Sequence, residues 1–405
     1  MRILLAHKYF HVGGGADTFF FETARILREH GHEVAYFSTH SRGDVECAYT
    51  GYFAPPPSYT ADSTLQQVRG FRNMVYSLPA KANFSRLIAD FQPDVVHAFC
   101  IQTHLTPSIL RAAQEAGVPV VMSCNDYKHL CPNSMLFHHG RLCADCKGGR
   151  FYKAISNRCS KDSWKFSVAN SIEAYAHGLL NVYQRDVDRY LFASSFMARL
   201  TQDFWAGWTY DWSLLRNPFD ATGLRALEGG DYVLYFGRLS EEKGVESFLR
   251  AMARLPEIPA RIVGDGPLLE SLGKLADDLH LANTQFLGAQ WGPQLDDVLQ
   301  KARFVVVPSV WHENFPYVIL QAFAAGKPVV GSDRGGIPEL VKDGHRGSIY
   351  PAGDDIALAS TIAARWLDAS GTVEMGRAAK KYVDEEFNDD RFYSELLEVY
   401  RGTLR

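Results

Sequence analysis

Short, nearly unbroken apolar runs alternate with helical periodicity along this chain, and the alternation occurs twice. In the first half the runs are Ile3–His7, Glu33–Ser38, Asp94–Phe99, Val118–Cys124 and Arg189–Ser194, with helical patterns such as Asp17–Arg28 and Asn83–Phe91 between them. The second half follows a Trp-rich stretch, Phe204–Trp212, and a turn at Arg216-Asn217-Pro218. Its runs are Tyr232–Phe236, Ala260–Val263, Thr284–Leu287, Phe304–Val307, Pro328–Gly331 and Ser348–Tyr350. Helices at Glu241–Leu255, Leu268–Leu279, Leu295–Lys301 and Ile356–Leu367 separate most of them. Strands that are apolar throughout belong to parallel sheets covered on both faces. The expected fold is therefore α/β, with two doubly wound domains facing across a cleft lined by the carboxyl ends of both sheets. A length of 405 residues agrees with two domains rather than one core. The expected boundaries are 1–200, 201–385 and a terminal segment 386–405, whose helix Asp390–Arg401 would return to the first domain.

Composition narrows the class. Hydrophobic content of 46% and charge of 22% are those of a globular enzyme, and a net charge of −4 argues against a dedicated nucleic-acid binder. No apolar stretch reaches the roughly 18–20 residues of a spanning helix. The run at Met1–Ala6 is shorter than a signal peptide and reads as a first strand. The expected location is the cytoplasm, with peripheral attachment at the inner face of the membrane left open.

Polar and glycine-bearing loops recur where these strands end. The loop His11-Val12-Gly13-Gly14-Gly15-Ala16-Asp17 opens a helix, where backbone amides can meet a phosphate; a tight structural turn is the alternative. A dinucleotide fingerprint fails, because Thr18 stands at the third glycine and Phe37-Ser38-Thr39 lacks the ribose-binding acid. After Tyr232–Phe236 comes Gly237-Arg238-Leu239-Ser240-Glu241-Glu242-Lys243-Gly244. Ser240 as an N-cap would put Lys243 in a first helical turn, where it converges with Arg238 on a diphosphate. A solvated Glu–Lys surface pair is the plainer reading. Val263-Gly264-Asp265-Gly266-Pro267-Leu268 and Leu287-Gly288 suit a base or ribose, or are ordinary turns. Phe304–Glu339 reads as strand, polar loop, helix, strand and glycine loop, with Glu313 and Asn314 just past the strand and Phe315-Pro316-Tyr317 leading into the helix. His97 ends an apolar strand, either as a satisfied core residue or as a titrating group near a reacting sugar. Asn125 and Asp126 hold the matching place after the next strand, as acceptor-side candidates. Asp186-Val187-Asp188 mimics a metal-binding carboxylate pair, but it precedes its strand and reads as a decoy.

Taken together, these residues resemble glycosyltransferase family 4, the retaining nucleotide-sugar enzymes with the GT-B fold of two Rossmann-like domains. The match is strongest in the ordered set Gly237-Arg238 with Lys243, Gly264-Asp265-Gly266-Pro267, Pro308-Ser309 with Glu313, and Gly335-Gly336 with Glu339. Gly13–Gly15, Asp94–His97 and Ser194-Ser195-Phe196 fit in the first half. The resemblance implies that the first domain binds the acceptor and the second the donor. It implies that Arg238 and Lys243 grip the donor diphosphate, that Glu313 contacts sugar hydroxyls, and that amides from Asn314 to Tyr317 orient them. His97 would lie near the sugar, and Gly14 and Gly15 under the phosphates. The partners would be a UDP- or GDP-sugar and a glycan or lipid-linked saccharide, and no metal or cofactor would be needed for catalysis. One departure stands out: the family's second glutamate is Gln321 here, which offers one acceptor oxygen and no charge. A nucleotide-sugar epimerase of the same architecture and a non-catalytic nucleotide-sugar-binding relative remain as alternatives.

Between Tyr127 and Phe166 the chain changes character, with eight basic residues against two acidic ones. Four of the seven cysteines fall here, Cys131, Cys143, Cys146 and Cys159. A structural zinc site, thiols and disulfides are all open readings. The basic and aromatic composition of this insert points to an anionic or lipid-linked acceptor near a membrane, or to a lid.

Overall fold

A computed structural model describes residues 1–41, 43–56, 64–221, 223–224 and 226–404, the side chains of 64–69 excepted. In chain order its strands are β1 (Arg2–Ala6), β2 (Glu33–Phe37), β3 (Val95–Ala98), β4 (Val120–Cys124), β5 (Phe137–His138), β6 (Arg141–Leu142), β7 (Arg189–Phe192) and β8 (Trp212–Leu214). They continue as β9 (Tyr232–Phe236), β10 (Ala260–Val263), β11 (Thr284–Gly288), β12 (Ala302–Val307), β13 (Val329–Ser332) and β14 (Gly347–Tyr350). The chain divides into two compact units. One holds Met1–Leu136, Ala144–Pro218 and Asp389–Arg405; the other holds Phe137–Cys143 and Phe219–Asn388.

Each unit carries a six-stranded sheet, in the order β2-β1-β3-β4-β7-β8 in the first and β11-β10-β9-β12-β13-β14 in the second. Every neighbouring pair within them is parallel. Both sheets are α/β and doubly wound, as the apolar runs require: β4 and β9 are buried at every residue. The strand order reverses between β1 and β3 and again between β9 and β12. Loops that leave a sheet in opposite directions part there, and a crevice opens at the carboxyl ends of the strands.

Two assignments differ from the sequence expectation, and the terminal helix follows it. Residues 201–218 belong to the first unit, because Trp212–Leu214 adds in parallel to β7 as its sixth strand. The short hairpin β5–β6 groups with the second unit, where a side chain at Gly140 would meet Glu241 Oε1 at 3.2 Å. The helix Asp389–Thr403 packs in the first unit, with Phe392, Leu396 and Tyr400 in one apolar cluster with Phe19, Phe99 and Val121. Arg25 clamps its start through Asp389 at 2.8 Å, and Tyr393 stacks on His30.

That helix decides the fate of His97. The Tyr400 hydroxyl lies 2.7 Å from its Nδ1 and the Ser123 hydroxyl 2.8 Å from its Nε2, while its ring stacks on Phe99. The imidazole is fully buried with both nitrogens occupied, so it is a core residue and not a group that meets a sugar. The sequence left both readings open, and packing settles for the plainer one. Burial holds the His97 pKa down to about 3. His129, whose Nε2 lies 2.9 Å from the Thr201 hydroxyl, is likewise held at about 3 by burial.

Both histidines are neutral when folded and take a proton near pH 6.5 when unfolded, so the unfolded state binds more protons between about pH 6.5 and 3. Stability therefore falls as pH drops through that window, each group contributing a slope of about 1.4 kcal/mol per pH unit. In urea titrations from pH 7 to 5, His97→Gln should lose stability less steeply than wild type by about one such slope. Parallel curves would contradict this.

Candidate functional site

Five loops emerge from the carboxyl ends of β9 to β13, and they are tied to one another by their backbones. Leu239 N donates to Asp265 O at 2.9 Å, Gly264 N to Gly288 O at 2.9 Å, Val310 N to Glu242 O at 3.0 Å and Gly336 N to Glu313 O at 2.7 Å. Such close approach depends on glycine. At Gly335, with φ of +60°, a Cβ would sit 2.0 Å from Glu313 O; at Gly264, with φ of +146°, it would sit 1.9 Å from Gly237 O. These glycines therefore serve loop-to-loop packing first.

At the centre, beside the switch point, Lys243 from the β9 loop meets Glu313 from the β12 loop, Nζ to Oε1 at 2.7 Å. Ser309 donates to the same oxygen at 2.7 Å, and its own carbonyl accepts from Ser332 at 2.6 Å. Lys243 Nζ also stands over the Trp311 ring at 5.4 Å. Burial pushes the Glu313 carboxyl up, but the Lys243 charge and the bonds from Lys243 and Ser309 outweigh it, leaving the pKa below its ordinary value. Glu313 is thus a buried carboxylate, held ionised by a cation that keeps part of its side chain in water.

The sequence expectation that Ser240 caps a helix over Lys243 does not hold. Glu241–Lys243 is a single 3₁₀ turn closed by Gly244, and the helix proper is Val245–Met252. The Ser240 hydroxyl instead donates to Glu242 at 2.6 Å. Lys243 still arrives at the strand end, through the turn rather than the helix.

Arg238 is exposed and forms no ion pair among the described residues, and its carbonyl accepts from Tyr235 at 2.7 Å. Gly237, Gly264, Gly266, Pro267 and Leu287 line the same edge of the sheet. Asn314, Phe315 and Pro316 are buried and lead into the helix Tyr317–Ala324, on whose second turn Gln321 is half-buried. Two neighbours have roles that the sequence reading did not assign, Ser309 standing there only as a member of the ordered set. Ser309 orients Glu313, and the His312 imidazole is held at about 4 by burial and by the Arg334 charge, so it is neutral at pH 7. Their placement in the Glu313 loop was the available signal.

The first unit is different. Its glycine loop bears a carboxylate of its own: Asp17 accepts from Gly13 N at 3.0 Å and pairs with buried His7 at 2.7 Å. Burial raises the Asp17 carboxyl, but the His7 hydrogen bond and charge bring it below its ordinary value. A phosphate on Gly14 and Gly15 would face that negative charge, so the expected phosphate grip loses its electrostatic basis. Both glycines are exposed, and neither has positive φ.

Asn125 and Asp126 stand half-exposed at the carboxyl end of β4, where Asp126 accepts from Lys128 N at 2.8 Å. Asp186 faces Arg111 at 3.0 Å, and Asp188 accepts from Val120 N at 2.7 Å, both in structural roles. Cys131, Cys146 and Cys159 lie in the first unit and Cys143 in the second. The three thiols of the first unit do not form a group within 4.8 Å of one another, so that unit offers zinc no preformed thiolate set.

Comparison with known proteins agrees on the class. The model of the family "Glycosyltransferase Family 4" matches residues 13–206, and that of "Glycosyl transferases group 1" matches residues 220–382. A D-inositol 3-phosphate glycosyltransferase of Mycolicibacterium paratuberculosis is 36% identical over 203 residues, 46% of this chain and 45% of that protein. The match thus spans less than half the length of that relative. A 42.6 kDa protein of the cps region of Klebsiella pneumoniae is 25% identical over 99% of this chain and 100% of its own. The crystal structure of Anabaena Alr3699/HepE in complex with UDP shares the fold, with a TM-score of 0.70 at 19% identity, over 99% of this chain and 100% of that one.

Replacing Lys243 with Met leaves Glu313 buried and unpaired. At pH 7 this should cost on the order of 2 kcal/mol, between the values for exposed and buried pairs because Lys243 is partly solvated. The folded Glu313 pKa lies below 4.5, so the pair stabilises fully above that value and is lost as pH falls through the folded one. Urea midpoints of Lys243→Met and wild type should therefore converge in acid; a gap independent of pH would contradict the pairing.

Proposed function

The chain belongs to the glycosyltransferases of group 1 and family 4, and on that footing we propose that it transfers a sugar from a nucleoside-diphosphate sugar to a hydroxyl of a glycan or lipid-linked saccharide, with retention at the anomeric carbon. The observation that carries this reading is the Lys243–Glu313 pair at the switch point of the second sheet, with Arg238 exposed in the same β9 loop as Lys243. An ammonium already fixed by a buried carboxylate does not have to reorganise when negative charge develops near it, and fixed charges of that kind are effective in catalysis.

In the proposed reaction, Lys243 and Arg238 neutralise the diphosphate as it departs. Glu313, oriented by Ser309, accepts from donor sugar hydroxyls, and the backbone amides from Asn314 to Tyr317 at the start of the Tyr317–Ala324 helix hold the phosphate end. The bond from the anomeric carbon to the phosphate oxygen breaks on the same face on which the acceptor oxygen bonds. The acceptor proton passes to the departing phosphate. No side chain becomes covalently attached. Gln321 would meet the ribose with one amide oxygen, a weaker grip than a carboxylate provides.

Thermal melting with UDP-, GDP-, ADP- and TDP-sugars tests donor binding, because a ligand at a hundredfold excess over Kd adds about 2.7 kcal/mol to the native state. One nucleotide class should raise the melting temperature. Lys243→Ala should remove that shift and lower transfer by about 100-fold or more. No shift with any donor would overturn the reading, and a shift without transfer to any acceptor would favour a non-catalytic binder.

A further inference from the structure

In the first unit, the helix Trp164–Leu180 is built inside out. Trp164, Val168, Ile172, Tyr175 and Leu179 recur at i, i+4, i+8, i+11 and i+15, a stripe that ordinarily faces a core. Here that stripe faces water: Trp164 is 63% exposed and Leu179 83%, and Ile172, Tyr175 and Leu180 are exposed beside them. The buried positions are Ser167, Ser171, Glu173 and His177. They face polar groups: the Ser167 hydroxyl accepts from Ser160 N, Ser171 donates to Phe151 O, His177 Nε2 lies 2.7 Å from Val75 O, and Glu173 forms an ion pair with Lys128 at 2.8 Å while neither carboxylate oxygen accepts a hydrogen bond among the described residues. The helix is thus held by polar contacts on its inner face, and most of its apolar stripe lies exposed, with Tyr175 meeting the Phe151 ring.

We propose that this face is a docking surface for an anionic lipid bilayer. The argument for lipid is charge. Lys161 rides over the Phe166 ring at 4.9 Å, Lys153 over the Tyr152 ring at 5.6 Å, and Lys165 lies exposed on the helix itself. None of the three is in an ion pair among the described residues. Tyr152 joins the patch through its backbone N–H, which donates to the Tyr175 hydroxyl at 3.1 Å. A helix of about 25 Å lying flat, with aliphatic side chains inward and aromatic and lysine groups at headgroup level, has the chemistry of an interfacial helix. A second copy of the chain would bring identical lysine rims together and repel. Anionic headgroups complement them.

The assignment extends the glycosyl-transfer reading by placing a lipid-linked acceptor within reach, but the test reads attachment alone. The chain is sedimented with vesicles of phosphatidylcholine, and of phosphatidylcholine mixed with phosphatidylglycerol. Wild type should bind the anionic vesicles and release as salt rises. Ile172→Glu with Leu179→Glu should reduce binding at least ten-fold, and Lys161→Glu with Lys165→Glu by at least about five-fold per lysine. Unchanged melting of each variant, and an unchanged melting response to nucleotide sugar, show that the fold and the second unit are intact. Failure of wild type to bind anionic vesicles overturns the proposal, as does equal binding by the apolar variant. A wild-type dimer that the same variant makes monomeric, without vesicle binding, also overturns it and assigns the face to self-association.

Discussion

The second unit is organised around one ion pair. Lys243 and Glu313 belong to loops after β9 and β12, the two strands between which the sheet reverses its order. A buried carboxylate is costly without a partner, and a lysine near a diphosphate site is useful only if its position is fixed. The pair meets both needs. Ser309 adds a second donor to the same carboxylate oxygen, and the Gly335-Gly336 turn locks the Glu313 backbone from the other side. Change the turn glycine and the carboxylate moves. Change the lysine and the carboxylate loses the charge that keeps it ionised.

The two sheets are both six-stranded, parallel and doubly wound, but they differ in strand order and in what stands at their ends. In the second, the cations Lys243 and Arg238 occupy the edge. In the first, the helix start after β1 carries Asp17, hydrogen-bonded to buried His7, and the middle of the sheet is filled by His97 and Tyr400. A parallel α/β scaffold offers a crevice at every switch point, and the local charge decides what can enter. Here the second sheet presents Lys243 and Arg238 to an anion.

Much of this was legible in the chain. The alternation of apolar runs with helical patterns revealed two parallel sheets, because strands buried on both faces leave no other trace. That Arg238, Lys243 and Glu313 stand in loops at the carboxyl ends of β9 and β12 was legible too, because those loops directly follow apolar runs. What failed depended on partners distant in sequence. His97 stayed open between core residue and sugar contact until Tyr400, at 303 residues' separation, took its Nδ1. The Ser240 cap looked sound, but Gly244 ended the turn and Glu242 took the hydroxyl. The sixth strand of the first sheet hid in Trp212–Leu214, too short to register as an apolar run. The helix Trp164–Leu180 went unread, and although its apolar stripe obeys the usual period, packing shows that the stripe points outward.

The central claim is that the Lys243–Glu313 pair marks where a diphosphate is held. A crystal structure of the chain with a bound nucleoside diphosphate tests it most directly. The account predicts the phosphates on Lys243 and Arg238 at the carboxyl ends of β9 and β12, with the ion pair to Glu313 intact. A diphosphate seated on the Gly13–Gly15 loop beside Asp17, with the second sheet vacant, would contradict it.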